Sequence, residues 1–311
     1  MIRYVIKRIL LLIPVLIGVS LIVFVIISLA PGDAVDAINS GNISQEERQE
    51  LREYYGLDQP VLVQYVRYMG NFVRGNMGYS VSYKAQVADL YFKRFPATLA
   101  LAAAAAVIAI LIAIPLGIYS ALKAGSIGDN ICTVISMLGI SVPDFWVGLV
   151  LIFLFALRFN LLPAGEFKSF KSLILPGFTC GAMLIGALMR QTRSSMLNCL
   201  NADYLRTARS KGVSRRKVIW SHALRNALVP IAATAGDSLA FMMGGSAVTE
   251  AVYNWPGVGR LLVGAINNMD TQLICGCVIM QTIIVSAVML LVDIAFAFID
   301  PRIKAQYAKG G

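Results

Sequence analysis

The chain has 311 residues, 58% of them hydrophobic and only 14% charged, with a mean hydropathy of +0.71. That balance excludes a water-soluble globular domain, where charged residues run near about 25%, and makes this an integral membrane protein. The formal net charge of +10 calls for no nucleic acid, because a surplus of Lys and Arg in the loops on one side of a membrane has the same effect.

A spanning helix needs roughly 20 mostly apolar residues, and runs of that kind fall at 9–30, 97–120, 131–157, 173–189, 229–252 and 273–299. The fold class expected is all-α, a polytopic membrane protein with six transmembrane helices. The expected organisation is an N-terminal helix over 1–30, an extracytoplasmic helical segment over 31–96, a membrane core over 97–300 and a tail over 301–311. Arg3, Lys7 and Arg8 precede the first run, and Ser28-Leu29-Ala30 resembles a cleavage triplet. The apolar stretch is too long for a signal-peptide core of about 7 to 15 residues, so it reads as a retained helix. With the N-terminus inside, the inner loops hold sixteen Lys and Arg and the short outer loops four, which puts both termini in the cytoplasm.

The 31–96 segment carries eight acidic and seven basic residues. Ser44 and Glu47 have capping-box spacing for a helix ending near Gly56. A second helix is expected from Pro60, with Val61, Tyr65, Tyr68, Met69 and Phe72 on one apolar face and stops at Gly75 and Gly78. Val87, Leu90 and Tyr91 form a short interfacial helix before the second span. The segment is either a packed cap or a docking surface for an external partner.

Pro115 and Pro143 fall inside predicted spans, where a missing backbone hydrogen bond tends to kink a helix; the kinks serve as gates or as fixed packing geometry. Beyond the fourth span comes "YLRTARSKGVSRRKVIWSHALRNALVP", residues 204–230. Asp203 is the expected N-cap of a helix through Tyr204, Leu205, Arg206, Thr207, Ala208, Arg209 and Lys211. Gly212 is the left-handed stop, and Ser214 caps the next helix. Tyr204, Leu205 and Ala208 share a narrow apolar strip between Arg206 and Arg209. Such a helix fits a groove on another protein or lies on anionic headgroups.

Carboxylates inside spans are functional candidates because burying a charge in lipid is costly. Asp237, about two turns into the fifth span, is placed to meet a cationic group in a pathway, and Glu250 at its outer end to line an entrance. Asp293 reads as a structural pair. "NWPGVGR", with Pro256, Gly257 and Gly259, reads as a turn at the outer face. His222 is the only histidine, and the five cysteines lack metal-ligand spacing, so no catalytic or metal site is expected. There is no G-x-x-x-x-G-K-[ST] run, so ATP must be handled by another chain.

"YLRTARSKG" and "HALRNALVP" resemble the coupling (EAA) loop of permease subunits in bacterial ABC importers, in the dipeptide, oligopeptide and nickel branch. "RYVIKRILLLIPVLIGVSLIVF", "YGLDQPVLVQYVRYM", "SVPDFWVGL", "TEAVYNWPGVGRLL" and "DPRIK" resemble other parts of the same family, so the likeness covers nearly the whole chain. It implies a bacterial inner-membrane location and partners for this chain: a second homologous permease, two ABC ATPases that use ATP and Mg, an extracytoplasmic solute-binding protein and membrane lipid. It also implies that loop 198–230 couples ATP hydrolysis to transport, with Arg206, Thr207 and Ala208 in the Glu-Ala-Ala slots and Gly212 at the turn. Arg206 departs from the acidic slot, so a Glu-centred contact is not carried over. The implied cargo is peptide, the alternatives being a nickel chelate or glutathione. An ion-coupled secondary transporter, which would show inverted repeats and paired mid-membrane charges, and a self-assembled channel are the rival classes.

Overall fold

The computed structural model describes residues 2–29, 45–55, 58–167, 169–244 and 246–299. The expected capping box at Ser44, the stop at Gly56 and the tail 301–311 lie outside these residues. Helix α1, Ile2–Ser28, turns most of its large apolar side chains outward, with Ile22 60% and Ile26 62% exposed. Its inward face carries Phe24 and Ser20. Ser20 Oγ lies 2.9 Å from the Tyr65 hydroxyl, and Phe24 meets Tyr65 edge-on at 5.6 Å.

Helix α2 spans Gln45–Tyr55, and α3, Val61–Val73, starts at Pro60 as expected. Proline suits a helix start because its missing N–H would be unsatisfied there anyway. Tyr65 and Tyr68 are buried against α1 and the last long helix, with Phe72 half-buried beside them. Gly75 and Gly78 then take positive φ, +87° and +91°. A small antiparallel ribbon that the sequence reading did not include follows, with β1 (Tyr79–Ser80) paired to β2 (Ala85–Gln86).

Helix α4 runs unbroken over Val87–Leu122, so the expected interfacial helix and second span are one element. At about 1.5 Å per residue it is roughly 54 Å long, well beyond a hydrocarbon core of about 30 Å. Ala102, Ala105, Ala109 and Ala113 form its buried stripe. A methyl on Gly181 of α7 (Ile174–Leu200) would come 3.0 Å from the Ala105 carbonyl. Small residues facing each other let two backbones approach closely, the usual basis of helix pairing in membranes.

The expected third span is broken. Helix α5, Ile127–Ser141, and α6, Asp144–Leu151 with a π-helical extension Ile152–Arg158, meet at 108°. Pro143 is therefore the N-cap residue of α6, with φ −60° and ψ 137°, and not a kink inside a helix. Pro restricts the residue before it to extended backbone, and Val142 accordingly has ψ 129°. Pro115 does sit inside α4, on its exposed side.

The remaining elements are α8 (Asp203–Ser210), α9 (Arg215–Lys217), a π-helical stretch Val218–Ala223, α10 (Leu224–Met243), α11 (Ala247–Val252), α12 (Val258–Asn267) and α13 (Thr271–Ile299). Asp270 caps α13 by accepting from the Leu273 N–H at 3.2 Å. Its other oxygen accepts from Ser80 Oγ at 2.7 Å and the Ser82 N–H at 3.1 Å, fixing the ribbon.

Among the described residues four helices are long and apolar enough to cross a membrane, five if the bent pair α5 and α6 counts as one span. The expected fifth span, 229–252, does not form one helix. Helix α10 ends at Met243, α11 begins at Ala247, and Arg225, Asn226, Thr234, Asp237 and Ser238 make α10 polar for a lipid-facing element.

Candidate functional site

The hairpin that follows α7 is built as helix, turn, helix. Ala202, not Asp203, occupies the N-cap position, with extended backbone (φ −74°, ψ 145°). Asp203 is the first helical residue, where its charge favours the helix N-terminus; its side chain is 96% exposed, 3.9 Å from Arg206. At the other end the Val213 N–H donates to the Ala208 carbonyl at 3.2 Å and the Gly212 N–H to Arg209 at 3.0 Å. That pair of bonds is the Schellman closure, and it requires the φ of +77° that Gly212 adopts. Ser214 is the N-cap residue of α9, as expected, without a side-chain capping bond.

The apolar strip of α8 turns toward this chain's own interior. Leu205 is 0% exposed, in a cluster with Met196, Val218, Ala223 and Ala227, and Ala208 and Val213 pack against it. The face left exposed is polar: Arg206, Thr207, Arg209, Ser210 and Lys211 are exposed. Thr207 Oγ1 and Ser210 Oγ donate back to the carbonyls of Asp203 and Arg206 at 3.1 Å each. Tyr204 is 44% exposed and ties the two arms together, because Asn226 Nδ2 donates to its hydroxyl at 3.2 Å and to the His222 carbonyl at 2.9 Å. Partial burial first and the Cys199 thiol second push the Tyr204 phenol above its ordinary pKa, while Asn226 acts the other way. The π-helical stretch gives a wide turn between the basic α9 and α10, a local irregularity frequent at functional sites.

A cavity of about 270 Å³ lies between α6, α7 and α10, lined by Asp144, Asp237, Ser238, Cys180 and Met183 among others. Among the described residues no hydrogen bond or ion pair reaches either carboxylate. Asp237 was expected in a pathway. Asp144 was missed, although its place directly after Pro143, at a helix start, marks it as a charge on a corner and not on a lipid-facing flank.

Glu250 lines no entrance. It is 0% exposed, its Oε1 accepts from Thr98 Oγ1 at 2.7 Å, and its Oε2 accepts from the Arg260 N–H at 2.9 Å. The turn 253–260 closes over it: Trp255 Nε1 donates to the Ala97 carbonyl at 2.9 Å, and the Tyr253 hydroxyl donates to Gly148 at 3.2 Å. A side chain at Gly257 would run into the Glu250 carboxylate. Beside the hairpin, Arg193 of α7 pairs with Asp129 at the start of α5, and neither residue stood out as a pair in the sequence. The one available signal was the Ser126-x-x-Asp129 spacing, which resembles a capping box; Asp129 N–H does donate to Ser126 Oγ at 3.3 Å. No group of three or more His, Cys, Asp or Glu able to hold a metal occurs among the described residues.

Residues 113–305 match the family described as binding-protein-dependent transport system inner membrane component, and residues 1–102 match the N-terminal region of such membrane components. Among curated proteins the chain is 38% identical to the oligopeptide transport system permease protein AppB of Bacillus subtilis (strain 168), over 98% of this chain and 100% of that protein. It is 34% identical to the dipeptide transport system permease protein DppB of Escherichia coli (strain K12), over 98% and 99%. It is 37% identical to the glutathione transport system permease protein GsiC of Escherichia coli O6:H1, over 98% and 99%. Inward-facing conformations of the MetNI methionine ABC transporter are similar in fold, with a TM-score of 0.56 at 16% identity over 68% of this chain and 96% of that one.

Proposed function

The chain belongs to the family of binding-protein-dependent transport system inner membrane components, and we propose that it forms half of the translocation path of an ATP-driven peptide importer. It is a multi-pass inner-membrane permease. The single observation that carries the peptide reading is the full-length similarity to oligopeptide and dipeptide permeases. Glutathione, itself a short peptide, is the second cargo reading, favoured by the similarity to a glutathione permease.

In this reading the domains keep the sequence divisions: 1–30 a peripheral helix, 31–96 an outer cap, and 97–300 the core. Helix α10 completes a sixth span whose polar residues face the path, and this accounts for its modest hydropathy. The hairpin around α8 seats on a cytoplasmic ATPase, one of two. Its polar face, with Arg206, Thr207 and Arg209, meets the partner, while Leu205 and Ala208 anchor it to α7 and α10. Motion at the ATPase then reaches the spans through packed side chains. Asp144 and Asp237, on α6 and α10, line the path. A second, homologous permease supplies the other half, and a solute-binding protein delivers cargo from outside.

The test is to tag the chain, extract it from its native membrane in mild detergent, and identify its companions by mass spectrometry. A second permease and P-loop ATPases are expected, with the ATPases lost on Ala208→Trp. Recovery of the chain alone, or as a homo-oligomer, would remove the importer reading and favour ion-coupled transport.

A further inference from the structure

A second cavity, of about 690 Å³, lies between α1, α3, the β1–β2 ribbon and the start of α13. Its volume falls within the range of small-molecule sites, about 300 to 1,000 Å³. Six carboxamides line it, those of Gln59, Gln64, Asn71, Asn76, Gln86 and Gln272, together with one ionised group, Arg67, and no Asp or Glu.

Each carboxamide offers an acceptor oxygen and two donor hydrogens. Four of them already make hydrogen bonds: Asn76 Oδ1 accepts from the Gly78 N–H at 2.9 Å, Gln272 Oε1 from the Tyr79 N–H at 2.8 Å, Gln59 Nε2 donates to Asp58 Oδ2 at 3.3 Å and Gln64 Nε2 to the Gln59 carbonyl at 2.7 Å. With their oxygens engaged, the Asn76 and Gln272 NH2 groups are left as donors. Arg67 is exposed, with no carboxylate paired to it among the described residues. Its planar fork matches a carboxylate, which it binds in bidentate fashion. Phe24 and Val63 add apolar wall.

Alternating donors and acceptors with a single anionic end describe the carboxyl-terminal portion of a peptide. No Asp or Glu lines the cavity, and the adjoining carboxylate of Asp58 is already engaged by Gln59 Nε2 at 3.3 Å, so the lining favours the carboxyl end over the ammonium end. We propose that the cavity binds the carboxyl-terminal residues of a peptide, with Arg67 taking the terminal carboxylate and the carboxamides the peptide bonds. The inference rests on the peptide-permease reading and gives it a specific contact point apart from the Asp144 and Asp237 cavity.

The experiment uses the full chain with its co-purifying subunits in nanodiscs and measures binding of trialanine, its C-terminal amide and its N-acetyl form. Trialanine and the N-acetyl form are expected to bind alike, and the amide about tenfold or more weakly, the effect of losing a charge-assisted hydrogen bond. Arg67→Gln should abolish the difference between acid and amide, and Arg67→Lys should restore part of it. Because Arg67 is exposed, subunit recovery serves as the folding control. Equal binding of acid and amide by the unaltered protein, or discrimination that survives Arg67→Gln, overturns the site. Competition by phosphatidylglycerol in the nanodisc that disappears with Arg67→Gln would assign the cavity to lipid instead and overturn it too. Peptide uptake by the same complex in proteoliposomes separates the two levels. Uptake without acid preference rejects this cavity alone, whereas absence of uptake together with absence of binding rejects the peptide reading as well.

Discussion

Arg193 grips Asp129 with both arms of its guanidinium, Nε to Oδ1 at 2.6 Å and Nη2 to Oδ2 at 2.7 Å. The carboxylate is 2% exposed and also accepts from Ser120 Oγ at 2.5 Å and the Gly125 N–H at 2.9 Å. Four donors thus tie the turn between α4 and α5 to α7, the helix that runs on into the hairpin. Removing one partner of a buried pair leaves the other charge uncompensated, at a cost of about 3 to 5 kcal/mol. Arg193 keeps 35% of its side chain exposed, so the lower end of that range is expected for Arg193→Met. The double variant Asp129→Asn with Arg193→Met should regain much of the loss. Thermal unfolding midpoints in detergent measure both, and an unchanged midpoint for Arg193→Met would show that the pair holds nothing.

Leu205 and Arg206 are neighbours with opposite expected roles. Leu205 is fully buried in the cluster beneath the hairpin, and truncating such a leucine costs about 2 to 5 kcal/mol through lost burial and a residual cavity. Arg206 has 75% of its side chain exposed, and its bond to Asp203 is a surface pair worth about 1 kcal/mol at most. Leu205→Ala should therefore lower the unfolding midpoint, while Arg206→Ala leaves it in place and weakens ATPase recovery. If both variants keep the ATPases equally well, the polar face is not the contact.

Gly212 has open space around it, since a methyl there would meet nothing within 4 Å. The only obstacle to a side chain is the backbone φ of +77°, which costs an L-residue roughly 1 to 2 kcal/mol and asparagine less. Gly212→Asn should keep both transport and ATP hydrolysis. Gly212→Val, β-branched as well, should shift the end of α8 and lower transport relative to hydrolysis. Measuring the two rates on one preparation gives the ratio, and a ratio that Gly212→Val leaves unchanged would show that the turn does not set coupling.

Local chemistry was the legible part of this sequence. Gly212, Ser214 and Pro60 lie where the sequence puts them, at a turn and at two helix starts, because the conformation each takes is set by its own backbone. Long apolar runs were legible for the same reason, except where a proline corner at 143 or a run of polar residues in α10 redirected the chain. Contacts between distant residues were not. Asp129 and Arg193 are far apart in sequence, and nothing local links them. Glu250 reads as a gate at the end of a span, until the turn 253–260 folds back and Thr98 of α4 reaches its carboxylate. The strip of α8 was visible as apolar, but periodicity alone does not say whether such a strip faces a partner or the chain's own interior.

Asp144 and Asp237 provide the last test, since they line one cavity from two helices and neither is tied to a neighbour among the described residues. A side chain that makes no structural bond is replaced by its near-isostere at little cost to stability, within about 0.5 kcal/mol. Asp144→Asn and Asp237→Asn should thus leave the unfolding midpoint and subunit recovery unchanged. If the cavity lies on the path and meets a cargo ammonium, each variant should slow uptake of a free peptide several-fold but slow its N-acetyl form much less. A charge that acted only through folding would affect both cargoes equally and would lower the midpoint. The two carboxylates share one space, so their effects should fall short of additive in the double variant, as is usual for groups that act on a common partner. Full additivity with no preference between the two peptides would place them outside the path.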